Sequence, residues 1–207
     1  FTSTAAASSS SPSCLKVLFS FIRFSFQNKI CSYTEKIAYH LKFIAHRYCT
    51  LLEPAKPVIY LYPTKDTVCS VTMELNGRFT CTYPDYGTAG WQNFVASPDG
   101  TLTFPDGKQY YCLYWEGEAD IDLDFTRGAC VRGEDTAAYL EWALAEMGLT
   151  AREANEFIIY WLPQMEGNAY NVISFQTERY TDAAKLEITP APDTLIRVFM
   201  AWQPSET

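Results

Sequence analysis

From residue 57 to its end the chain contains no histidine. That excludes a Ser-His-Asp or Cys-His catalytic centre and a histidine-ligated metal in this region. No Cys-x-x-Cys occurs among the seven cysteines, so a zinc ribbon or a thioredoxin-type site is excluded as well. Neither a P-loop nor a G-x-G-x-x-G is present; Gly87-Thr-Ala-Gly90 is too short and is not followed by Lys-Ser/Thr. Basic residues are scarce, nine against 22 acidic ones after residue 56, whereas a phosphate backbone demands clustered Lys and Arg. Nucleic acid is therefore not an expected partner. An uninterrupted apolar run of about 20 residues, enough to span a bilayer, is also missing.

What is present divides at Pro57. Residues 1–56 carry both histidines and seven basic against two acidic residues, a net +5; residues 57–207 carry a net −13 and all five tryptophans. The division predicts a leader over 1–55 and a globular domain over 56–207 that folds without it. In the leader, Leu15–Phe26 is apolar but short and interrupted by Lys16 and Arg23, a pattern that fits the apolar core of a truncated signal peptide. Ser32-Tyr-Thr-Glu35 reads as a capping box, after which Ile37, Leu41, Ile44 and Tyr48 share one helical face. Such a helix either packs on its own domain or lies on a membrane surface. His40 and His46, six residues apart, do not share a helix face and are not expected to bind metal.

In the domain, Val58–Tyr62 is a β-rich run fenced by Pro57 and Pro63. Asn76-Gly77 separates the strand-like runs Cys69–Leu75 and Arg78–Tyr83 and predicts a hairpin with a type I′ turn. In that register Cys69 and Cys81 are not opposed, so no disulfide is expected between them. Ser97-Pro-Asp-Gly100 and Phe104-Pro-Asp-Gly107 are two turns of one type, bracketing a short strand at Thr101–Thr103. Gln109–Trp115 follows as a central strand, with Cys112 as a buried, inert thiol.

Beyond it, carboxylates alternate with apolar residues: Glu116, Glu118, Asp120, Asp122 and Asp124 fall on one face of a strand, and Trp115, Ala119, Ile121, Leu123 and Phe125 on the other. The simplest consequence is a half-buried strand with a solvated outer face. The alternative is a cation site, for Ca²⁺ above all, built from Glu118, Asp120, Asp122 and Asp124, although the spacing matches no EF-hand loop.

Asp135 is the expected N-cap of a helix whose buried stripe is Ala137, Leu140, Leu144 and Met147, ended by Gly148. Thr150-Ala-Arg-Glu153 is a second capping box, opening a short helix to about residue 155. Phe157–Leu162 reads as an apolar strand stopped by Pro163, and Val172–Thr177, Lys185–Thr189 and Leu195–Trp202 as further strands. Strands, one helical hairpin, then strands is an α+β order: a mainly antiparallel sheet or sandwich with the hairpin on one face or end.

Two chemistries remain. A carboxylate could act on a glycosidic bond; Glu116 is the seed, because Trp115 beside it could desolvate it. Alternatively, the aromatic load is larger than a small core requires, so some rings lie at the surface and grip a sugar ring or a peptide. Trp91, Tyr114, Trp115, Glu116 and Trp161 are the residues expected to form such a surface.

Lys56-Pro-Val-Ile-Tyr-Leu-Tyr-Pro63, Tyr111-Cys-Leu-Tyr-Trp-Glu-Gly117, Glu153–Pro163, Tyr170–Thr177 and Arg197–Met200 resemble, in order, an uncharacterised microbial family marked by KPVIYLYP, YLYWEG and YWLP segments. The resemblance covers about Lys56–Pro204. It implies the same domain boundary; the family has no established activity and adds no catalytic residue, and its members' export signals imply an extracytoplasmic location. The sequence thus predicts a non-catalytic binding or interaction module for a glycan or a protein, without a cofactor. The alternatives are a glycoside-active enzyme using Glu116 and a structural domain held at a membrane surface by its leader.

Overall fold

The computed structural model describes residues 57–119 and 121–206, together with the backbone of one strand, Ser20–Arg23. That strand is β1. The others are β2 (Val58–Ile59), β3 (Thr67–Leu75), β4 (Gly77–Tyr83), β5 (Trp91–Ala96), β6 (Leu102–Thr103), β7 (Gln109–Tyr110), β8 (Leu113–Ala119), β9 (Ala129–Arg132), β10 (Tyr170–Phe175), β11 (Ala184–Thr189) and β12 (Phe199–Ser205). Helices α1 (Thr136–Glu146) and α2 (Ala151–Met165) precede β10, and α3 (Thr177–Ala183) follows it. The fold is α+β and sheet-rich, with three sheets ordered β1-β12-β10-β9, β11-β3-β5-β6-β7 and β2-β8-β4. All described pairings are antiparallel except β1 with β12. β1 lies inside the apolar segment Leu15–Phe26; the capping box at Ser32, the helical face from Ile37 and both histidines fall outside the described residues. Among the described residues, no helix is long and apolar enough to cross a membrane.

Two hydrophobic cores result. The first is filled by Val71, Trp91, Phe94 and Ile188 from the five-stranded sheet and by Leu113, Trp115 and Ala119 from the three-stranded one, a sandwich closed by Tyr180 of α3. The second is formed by Leu140 and Leu144 of α1, Phe157, Ile158, Trp161 and Met165 of α2, and Ile173, Met200 and Trp202 of the four-stranded sheet. Residues 58–61 alternate between them: Ile59 and Leu61 enter the sandwich, Val58 and Tyr60 the core under the helices. Because both faces are covered, this run is apolar without interruption, as doubly covered strands are.

The paired turns form as expected. Gly100 and Gly107 donate backbone N–H to Ser97 and Phe104 carbonyls at 2.9 Å each, and Asp99 and Asp106 accept from the N–H of Thr101 and Lys108 at 2.9 and 3.1 Å. Helix α1 ends as expected at Gly148, with φ +90° and the bond Leu149 N–H to Leu144 C=O at 3.0 Å. Asp135 takes the N-cap position, but its carboxylate accepts from Arg132 Nε at 2.7 Å and caps nothing. The second capping box closes: Thr150 N–H donates to Glu153 Oε2 at 2.6 Å, and Glu153 N–H to Thr150 Oγ1 at 3.4 Å.

Three expectations are corrected. Asn76-Gly77 does not turn a hairpin: β3 pairs with β5 and β11, β4 with β8, and the chain crosses between sheets at this point. Asn76 has no positive φ, and its N–H donates to Ala183 C=O at 2.7 Å. Residues 157–162 are helical, not extended. Buried residues 154, 157, 158, 161 and 165 follow the helical period. Pro163 is tolerated because the carbonyl it leaves without a donor belongs to Ile159, whose side chain is on the solvent side. The acidic strand ends at Ala119, so the alternation past it runs along irregular chain.

Candidate functional site

Tyr60 and Tyr62 are two apart in an extended segment, so they project to the same side. Their rings stack at 6.2 Å with an interplanar angle of 15°, and Tyr111 leans on Tyr60 at 6.2 Å and 35°. Opposite this wall lie the Ser97–Gly100 turn and the first turns of α2. Together they enclose a cleft of about 580 Å³ lined by Tyr60, Tyr62, Asp99, Gly100, Thr101, Tyr111, Thr150, Arg152, Glu153 and Glu156, a volume within the ordinary range for small ligands. Gly100 permits the close approach of the two walls. A Cβ there would sit 2.7 Å from the Tyr62 ring, and φ of +89° disfavours any other residue.

The polar groups of the cleft have defined states. Tyr60 Oη donates to Glu156 Oε2 at 2.8 Å. Burial, then that hydrogen bond to the carboxylate, pushes the Tyr60 phenol well above its ordinary range, which keeps it a neutral donor. Burial and then Glu153 raise Tyr62; neighbouring Cys112 and then burial raise Tyr111. Asp99 is held below the usual carboxylate range by the Thr101 backbone N–H and stays ionised. Glu153 is the unusual member. It is 3% exposed, and while Oε2 closes the capping box, Oε1 has no hydrogen-bond partner among the described residues. Buried carboxylate oxygens are ordinarily satisfied, because leaving one unpaired costs on the order of 1–3 kcal/mol.

The residues expected from the sequence fall elsewhere. Trp91, Trp115 and Trp161 are in the two cores, each at most 1% exposed, so their faces are not open to a ligand. Trp91 Nε1 donates to Pro84 C=O at 2.8 Å. Tyr114 and Glu116 share the face of β8 turned from the sandwich; Tyr114 packs against the core under the helices, where burial and then its hydrogen bond to Glu116 raise it. Trp115 points to the opposite face and therefore cannot desolvate Glu116; adjacent strand residues diverge. Neither Tyr114 nor Glu116 lines the cleft.

The acidic series also disperses. Glu118 takes two bonds from Arg78, at 2.8 and 2.6 Å, and Asp122 one from Arg179 at 2.7 Å. Asp124 lies 3.7 Å from Arg179 and accepts from Thr126. Asp120 lies outside the described residues. Among the described residues no group of three acidic, Cys or His side chains is assembled to hold an ion. Among the described residues, Cys69, Cys81, Cys112 and Cys130 are not joined in disulfides.

These pairs set an acid limit. Glu118 is depressed by its hydrogen bond to Arg78, and Asp124 by the Thr126 hydroxyl. Their folded forms hold protons more weakly than the unfolded chain. The stability they contribute is therefore present above the ordinary values of 4.5 and 3.8 and lost as pH falls through the folded ones. The melting temperature is expected to be flat above about pH 5 and to drop below it, with a shallower drop in Glu118→Gln/Asp124→Asn. An equally steep drop in that variant would assign the acid limit to other groups.

Sequence reasoning missed Arg152, Glu153 and Glu156 as site residues. Glu153 was legible as a cap, but reading 157–162 as a strand hid the helical turn that puts Glu153 and Glu156 on one face.

No protein-family model matches this chain, and no solved structure does. One curated relative is similar: an "Uncharacterized protein in bglA 3'region" of Butyrivibrio fibrisolvens, 42% identical over 64 residues. The alignment takes in 30% of this chain and 66% of that protein, just under two thirds of its length.

Proposed function

We propose that the chain is a binding module whose site is the tyrosine-walled cleft, and that its ligand is a glycan. The observation that carries this reading is the meeting, in one concavity, of the partly open rings of Tyr62 and Tyr111 with the carboxylates of Asp99 and Glu156. A sugar ring offers the complement, an apolar face for stacking and hydroxyls that donate to carboxylates. A cleft of this size suits one or two sugar rings better than a protein surface, which binds over broad, flatter areas. Glu116, the alternative catalytic seed, is outside this cleft.

The test is a glycan array probed with the full chain and with Tyr111→Ala. Tyr111 is 57% exposed, so its truncation removes a stacking face while leaving the cores intact. Affinity for any array ligand is expected to fall about tenfold or more, the scale of a lost aromatic contact. Binding unchanged in Tyr111→Ala, or an empty array, would reject the reading.

A further inference from the structure

The charge break at Pro57 is not a break in the sheet. β1 belongs to the basic N-terminal stretch and pairs in parallel with β12, from Ser20 opposite Phe199 to Arg23 opposite Trp202. It is the end strand of that sheet and pairs with no other strand among the described residues. The backbone of β12 shows what this pairing satisfies. Gln176, just past β10, donates its N–H to Phe199 C=O at 2.8 Å, so Phe199 turns its polar groups toward β10. Successive residues of a strand turn theirs to alternate edges. Met200 and Trp202 therefore present N–H and C=O to the opposite edge, where β1 stands. Both residues are buried, at 0% and 4% exposed, and unmet backbone groups are costly in such a place. Pro204 is next in the series. It has no N–H to offer, so the edge that can accept a strand ends with Trp202. The parallel register sets Ile22 against Ala201, which turns the Ile22 N–H to Met200 C=O and the Ile22 C=O to Trp202 N–H. The backbone groups of Phe21 and Arg23 face away from β12.

We infer that the Met200–Trp202 edge of β12 is a strand-addition site for a short extended peptide laid parallel to it, and that residues 20–23 of the same chain are its occupant. Main-chain hydrogen bonds supply the affinity at sites of this kind. Charge favours the approach: Lys16 and Arg23 make the segment 15–26 basic, whereas residues 57–207 carry a net −13. The occupant is held along one edge and is joined to the domain through residues 24–56, so the same segment offered as a separate peptide meets the same row of donors and acceptors. The site is distinct from the tyrosine-walled cleft, whose lining includes no residue of β12.

The experiment reads amide hydrogen exchange at Met200 and Trp202 in the full chain. Ile22→Pro removes the donor to Met200 and is expected to speed both amides at least about tenfold. Phe21→Pro, at a position whose N–H is turned from β12, is expected to change them less than about threefold. The probe is a synthetic peptide of residues 15–26 with two added lysines. At saturation it is expected to return Ile22→Pro to within about threefold of the native rates, and the same peptide carrying Ile22→Pro is expected to leave them unchanged. Should the Ile22→Pro chain fail to fold, Ser20→Pro carries the same comparison with a smaller effect, since it removes only the first N–H of the ladder. Native exchange in the Ile22→Pro chain, or equal acceleration by Phe21→Pro, would overturn the pairing and with it the inference. A native peptide that restores no protection would overturn the acceptor site. A dimeric mass of the native chain that is lost in Ile22→Pro would give the strand to a second copy and overturn the own-chain occupant.

Discussion

Gly77→Ala is expected to destabilise the fold by about 3 kcal/mol or more, one of the largest effects for an exposed position. Gly77 opens β4 with φ of +154°, a conformation that side-chain-bearing residues rarely adopt, and pairs with Ala119 of β8. A Cβ there would fall inside the carbonyl oxygen of Glu118 and against Ala119 Cα. Both obstacles are backbone, so no rotamer change relieves the clash; β4 must pull away from β8. The neighbouring change Asn76→Val should cost less than about 1 kcal/mol, since Asn76 is exposed and lies outside positive φ. Urea midpoints of the two variants decide the matter. Equal, small shifts would mean that β4 does not approach β8 as described, and a large cost at Asn76 would restore the hairpin.

Trp161→Ala is expected to cost about 3–5 kcal/mol, the range for truncating a fully buried aromatic. Trp161 is completely buried, in edge-to-face contact with Tyr160 at 4.9 Å and Trp202 at 6.3 Å. It joins α2 to the four-stranded sheet, and the helix's other buried residues lie along the same stripe. Tyr111→Ala, by comparison, should change stability by no more than about 0.5 kcal/mol while weakening the ligand. The pair separates two roles for an aromatic: one ring holds the cleft's helix in place, the other lines the cleft proposed to bind. Chemical denaturation of both variants provides the check. Intact stability in Trp161→Ala combined with lost ligand binding would return Trp161 to the site.

What local sequence can say, it said clearly. The two Pro-Asp-Gly turns, the Schellman end at Gly148 and the Thr150–Glu153 box are each decided within six residues, and each forms. The α+β class follows from the order of such segments. Pairing partners are another matter. Asn76-Gly77 carries a strong hairpin signal, yet β3 and β4 belong to different sheets because Trp91 and Phe94 of β5 and Ile188 of β11 fill the sandwich beside β3. Non-local burial outweighs the turn preference there. At Phe157–Leu162 the continuous apolar run concealed a helical stripe that only emerges when Ala154 and Met165 are counted with it. The site was least legible. Its walls come from residues 60–62, 99–101, 111 and 150–156, and no spacing rule connects these. The tryptophans drew attention as the largest rings, but size favours burial in a core; among the smaller tyrosines, Tyr62 and Tyr111 keep part of their surface open to the cleft.

The alternation of residues 58–61 between the two cores has a consequence for how the molecule opens. Ordinarily a sandwich and a helix-covered sheet could separate as independent cooperative units, each with its own opening free energy. Here the backbone that carries Ile59 and Leu61 into one also carries Tyr60 and Tyr62 into the other, so neither can release this segment without exposing the second. The amides of this stretch are expected to be among the slowest to exchange, and the same stretch supplies Tyr60 and Tyr62 to the cleft. A ligand of the proposed kind, held against Tyr62, would oppose this shared opening, and the expected result is slower amide exchange in both cores at once.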